Sequence, residues 1–141
     1  MKLSTVVLTA LAVVVVAFLI WSFAAYPGRH TTATGATVYD PAHEVLLAGT
    51  VKDVQNVICP ESAGTMGAHL LLQTSKGNVW VHLAPTGIMQ HRNLAFIPGE
   101  QIRVLGSEVR VFDRHDVLAR EVYRGNEIVV LRDTKGQLLP Q

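Results

Sequence analysis

A chain of 141 residues with 12 Lys and Arg against 11 Asp and Glu carries a formal net charge of +1 and no basic block. That argues against nucleic-acid binding, which leans on neutralising phosphates. Its one cysteine, Cys59, excludes an intrachain disulfide, so the domain must rest on a core of its own.

From Val6 to Tyr26 no side chain is charged. As a helix this run of about 21 residues would rise roughly 31 Å, close to the hydrocarbon thickness of a bilayer. Trp21, Phe23 and Tyr26 cluster at its outer end, where amphipathic rings suit headgroup depth. Lys2 and the α-amine at the short N-terminal tail favour N-inside. Residues 1–27 are therefore expected to be an uncleaved transmembrane anchor. The chain would be a single-pass protein of a bacterial inner membrane, with its N-terminus cytoplasmic and its C-terminal domain periplasmic. The alternative is a secretory signal cut after Ser22-Phe23-Ala24, which would release a soluble domain.

Residues 28–44, rich in Gly, Thr and Ala, read as a linker, and 45–141 as one domain. The domain alternates β-branched runs with turn residues. VLLAGTVKDVQNV is a long strand with Gly49 inside it, where a bulge or bend is expected. CPESAGTMGA is a loop, and HLLLQTS and NVWVHLA form a hairpin around Lys76-Gly77. PTGIMQHRNLAF lacks period-two alternation; Ile88, Met89, Leu94 and Phe96 would line one side of a short helix. QIRVLGSEVRVF, bent near Gly106-Ser107, and VLAREVY are two more strands joined by a DRHD loop, and EIVVLRD follows after Gly125-Asn126. The expected fold is all-β: a small OB-like antiparallel barrel of order β-β-β-short helix-β-β plus an extra strand, after an N-terminal transmembrane helix.

Gly49-Thr50-Val51, His69-Leu70, Val81-His82-Leu83-Ala84-Pro85, Phe96 with Pro98-Gly99, Val104-Leu105-Gly106-Ser107, Leu118-Ala119-Arg120-Glu121-Val122 and Leu131-Arg132-Asp133 before Gly136 stand out together. In these the stretch from Gly49 to Gly136 resembles small exported bacterial domains with OB-like folds, some of them in magnetosome-associated membrane proteins. The resemblance implies an OB-like fold, an exported location and no particular activity. Some magnetosome relatives carry a Cys-x-x-Cys-His haem attachment site. With Cys59 alone this chain has no such motif, so covalent c-type haem is excluded and no cofactor is expected.

If Lys76-Gly77 is a two-residue turn, His69, Leu71, Gln73, Trp80 and His82 share one sheet face, with His69 and His82 diagonal neighbours. Leu70, Leu72, Val79, Val81 and Leu83 share the other face, the core. Trp80, His82, His69 and Gln73 are then a candidate ligand-binding face. Cys59, Met66, His69 and His82 are a weaker candidate metal set, since imidazole, thiolate and thioether suit copper or zinc. The plainer reading is polar residues on an outer face, because the spacing matches no established metal motif. His30, His43, His91 and His115 read as solvated. Asp113 and Asp116 around Arg114-His115 look like a charged turn, and Arg120 and Glu121 should point to opposite faces.

No catalytic constellation is present, so the chain is read as a non-enzymatic binding or scaffolding module. Its expected partners are the membrane, through the N-terminal helix, and another envelope protein or a small ligand. Copper or zinc handling is the alternative.

Overall fold

The computed structural model describes residues 38–61 and 64–140. The expected anchor, with Trp21, Phe23 and Tyr26, lies outside them, as does His30. Among the described residues no helix is long and apolar enough to cross a membrane.

Six strands carry the domain: β1 (Glu44–Ile58), β2 (Met66–Thr74), β3 (Gly77–Pro85), β4 (Gln101–Val111), β5 (Arg114–Arg124) and β6 (Glu127–Val130). One short helix, α1 (Thr86–His91), sits between β3 and β4, in the expected order. The sheet is mostly antiparallel, with neighbours β3-β2-β1-β4-β5-β6. A short parallel pairing, Val81 with Val117 and His82 with Leu118, joins β3 to β5. Pairing therefore runs from β1 through β2, β3, β5 and β4 back to β1.

The alternation seen in the sequence fills the core. Leu70, Leu72, Val81, Leu83, Val104, Val117 and Val122 are buried together, joined by Met89 of α1 and by Phe96; Ile88 and Leu94 pack against them. β1 is long because it serves two neighbours, pairing over 44–50 with β4 and over 49–58 with β2. Gly49 stands where the two pairings overlap. A Cβ there would lie 2.4 Å from the Gln73 carbonyl oxygen and 2.9 Å from the Leu72 side chain, so only glycine fits the approach of β2.

A second, smaller cluster joins Tyr39, Val109 and Leu118, with Val111 beside them. The Asp40 amide donates to Ser107 Oγ at 3.0 Å. The Asp40 carboxylate accepts from the Ala42 amide and starts a 3-10 turn, Pro41–His43. Tyr39 and Asp40, expected to be linker, thus lie against β4 and β5, Glu44 opens β1, and Pro41–His43 between them stay exposed.

Three local expectations need correction. The β2–β3 turn is Ser75-Lys76, with Thr74 opposite Gly77, rather than Lys76-Gly77. Thr74 Oγ1 donates to the Gly77 carbonyl at 2.7 Å and accepts from the Lys76 amide, closing the turn one residue early. Residue faces survive the slip, but His69 becomes the direct partner of His82 rather than its diagonal neighbour. Second, β5 begins at Arg114, so Arg114, His115 and Asp116 belong to a strand and not to a loop. Third, the β4–β5 register shifts at Leu105/Gly106, leaving Arg120 without a β4 partner. That bulge undoes the alternation, and Arg120 Nη1 meets Glu121 Oε1 at 2.6 Å instead of pointing away from it.

Candidate functional site

The corrected register puts two imidazoles face to face. His69 of β2 and His82 of β3 are cross-strand partners, with ring centroids 4.0 Å apart and planes at 75°. The parallel β3–β5 pairing then brings Asp116 alongside, two residues before Leu118 on the same face of β5. His82 Nδ1 lies 3.0 Å from His69 Nε2, and His82 Nε2 lies 2.6 Å from Asp116 Oδ2. Arg114, one further step along that face, donates to Asp116 from Nε at 2.7 Å and from Nη2 at 2.8 Å. Its guanidinium carbon stands 5.6 Å from the centre of the Trp80 ring. The row reads Trp80, Arg114, Asp116, His82, His69.

His69 and His82 are 2% and 4% exposed and Asp116 is fully buried: the histidines keep the sheet face expected of them, but that face is covered there, and Asp116 lies in a strand rather than in a charged turn. Their burial is tolerated because, among the described residues, no fully buried side-chain nitrogen or oxygen lacks a hydrogen-bond partner. Burial alone would raise the Asp116 carboxyl. Hydrogen bonds from Arg114 and His82, with their charges, outweigh it and hold the group below its ordinary value. The same bond binds the Arg114 proton more firmly. A carboxylate can only accept, so His82 Nε2 is the donor to Asp116. His69 is pushed down to about 3, first by burial and then by the charge of His82, so it stays neutral.

At the other end of the row, Cys59 Sγ and His69 Nε2 both lie near Gly67. A methyl on Gly67 would sit 2.3 Å from Cys59 Sγ and 3.4 Å from His69 Nε2. A carboxylate and two imidazoles are thus joined by hydrogen bonds, and a thiol lies nearby. Cys59, however, is buried, and burial together with Glu61 pushes its thiol up, against the opposing pull of Arg132. A reactive cysteine needs the opposite: a stabilised thiolate within reach of substrate.

Not all the candidates converge. Met66 is 44% exposed at the start of β2, where it pairs with Ile58 and its carbonyl accepts from Thr86 Oγ1. Gln73 is exposed opposite Asn78, on the histidine face but farther along the hairpin. Among the described residues no group of three or more His, Cys, Asp or Glu could hold a metal ion. His43, His91 and His115 are exposed.

Arg114 and Asp116 were legible only as a turn. The signal available was their i, i+2 spacing, which places both on one face once a strand covers them. A second ion pair, between a buried arginine and a partly buried glutamate, leaves no spacing signal in the sequence. Arg132, 1% exposed, donates to the carbonyls of Leu83 and Ala119 and forms a two-pronged ion pair with Glu61, at 3.1 and 2.6 Å. It ties the loop after β1 to β3, β5 and the C-terminal segment beyond β6.

No curated protein matches the chain. The family model of the MamS/MamX magnetosome protein family matches residues 44–129, from the first residue of β1 into β6. The match takes in Cys59, His69, Trp80, His82, Arg114 and Asp116, and it covers more than half of the sequence; the chain belongs to the MamS/MamX magnetosome protein family.

Proposed function

We propose that the domain is an OB-type barrel that works as a non-catalytic binding or scaffolding module. It would be held on the periplasmic side of a bacterial membrane by Val6–Tyr26 and would contact another envelope protein or a small ligand. The ring of pairings through β1, β2, β3, β5 and β4, with α1 between β3 and β4, supports the barrel. The family match supports a magnetosome setting.

One observation carries the binding reading: Arg114 is pinned over Trp80 by a buried carboxylate. Asp116 grips the guanidinium twice and is itself braced by His82 and His69. The visible product of this buried row is a guanidinium, 55% exposed, held over a partly buried aromatic ring, with little freedom left to lose on binding. Such a surface suits a partner offering a carboxylate or an aromatic edge. Trp80→Ala should remove the crosslinks that the intact protein forms in its own membrane, while its circular dichroism and urea midpoint stay close to wild type. Unchanged crosslinks, or an unfolded variant, would place binding elsewhere.

Copper or zinc handling has one observation in its favour, that Cys59 Sγ and His69 Nε2 both lie near Gly67. It would require Met66 to leave solvent and His69 to give up its bond to His82. The binding reading needs neither change.

A further inference from the structure

The β4–β5 hairpin ends in a residue that hairpin turns normally avoid. Phe112 has φ +54°, in the left-handed region, and its side chain is 94% exposed. Gly or Asn would take that backbone conformation at less cost, and neither would hold a ring in water. A bulky aromatic kept in both unfavourable states points to a role outside the domain's own packing.

The position of the hairpin says what it faces. Tyr39 packs on Val109, Val111 and Leu118, and the Asp40 amide bonds Ser107, so the chain enters the domain along the flank of this hairpin. Val38, at the point of entry, is an exposed apolar residue. Arg110 and Arg114, 61% and 55% exposed, flank the tip; Asp113 at the tip reaches Arg110 only at 4.0 Å. The stretch between Tyr26 and Val38 can extend at most roughly 40 Å. The end of the domain bearing Phe112 is therefore the end at which the tether attaches.

We propose that the β4–β5 hairpin is a membrane-docking tip. The Phe112 ring enters the interfacial layer of the bilayer, and Arg110 lies against lipid phosphates. This rests on the reading of Val6–Tyr26 as a membrane span. One ring offers too little area for a stable protein interface, whereas a tethered domain needs only a weak insertion to fix its orientation. Aromatic rings and basic side chains are also the groups that settle at headgroup depth. Docking would set which way the Trp80 face looks.

The test uses the full chain in vesicles of phosphatidylcholine and phosphatidylglycerol. Asp113→Cys carries an environment-sensitive dye, and buried Cys59 is left in place, with the unsubstituted chain as labelling blank. Lipids bearing a nitroxide on the acyl chain should quench the dye roughly twofold or more, with a blue-shifted emission. The same dye at Asn126→Cys, at the far end of β5, should not respond. Phe112→Asn, which suits the left-handed backbone, should abolish quenching while the protein still floats with the vesicles. Flotation without quenching at position 113 overturns the docking tip and leaves the anchor standing. A blue shift that grows with protein concentration but ignores the nitroxide assigns the tip to a second copy of the chain, and also overturns it. Failure to float removes the anchor reading and the proposal with it.

Discussion

His69 and Asp116 make the domain's stability depend on pH in the same direction. His69 has an ordinary value of 6.5 and is held at about 3 in the folded state, so between those values the unfolded chain takes up a proton that the folded chain refuses. Its contribution is complete above about pH 6.5 and drains away as pH falls towards 3. Asp116 lies below its ordinary value of 3.8, so its contribution is present above that value and is lost only at lower pH. In urea titrations the wild-type midpoint should hold near pH 7 and fall as the solution is acidified through pH 6. The slope should approach, and not exceed by much, about 1.4 kcal/mol per pH unit for the one histidine. His69→Gln should be less stable at pH 7 and show a flatter profile down to pH 5. A wild-type midpoint that does not move over that range would mean His69 already binds its proton in the fold.

Elements were easier to read than the contacts between them. Alternation along HLLLQTS and NVWVHLA identified two strands and the correct core face, since a hairpin slip of one residue on each strand keeps every side chain on its side. The same slip decides whether two histidines touch, and the hydroxyl of Thr74 sets it. Asp116 was harder to place. Its approach to His82 depends on a parallel pairing between strands with no turn in common, and such a pairing leaves no local mark in sequence. Gly49 and Gly106 were legible as breaks in alternation; the structure gives Gly49 a steric reason and sets a β-bulge beside Gly106. Gly49→Ala places a methyl 2.4 Å from the Gln73 carbonyl oxygen, which is backbone and cannot swing aside. β1 and β2 must part locally, and the loss should be about 2–4 kcal/mol, within the range of overpacking and backbone strain. The urea midpoint measures it. A variant within about 0.5 kcal/mol of wild type would show that β1 can shift away from β2 freely.

For the whole molecule, the fate of Val6–Tyr26 decides whether the domain works on a surface or in free solution. Arg132 and Glu61, with the carbonyls of Leu83 and Ala119, join the loop after β1 to the C-terminal segment, so the domain holds itself together without a disulfide. If Val6–Tyr26 stays attached, diffusion is confined to a layer within reach of the tether, and contacts too weak to hold in solution become effective there. If a peptidase cuts after Ala24, the Trp80 face must bind more tightly to reach the same occupancy. The apolar run of about 21 residues is longer than the roughly 7–15 of a signal's apolar stretch, and Trp21 would crowd the residues a peptidase has to hold extended. We expect retention. The protein should sediment with membranes, resist carbonate and high salt, and yield to detergent. Mass spectrometry of the purified chain should find Met1 or Lys2 at its N-terminus. A chain beginning at Ala25 in the soluble fraction would reverse the conclusion, and with it the expectation that weak contacts at Trp80 and Phe112 suffice.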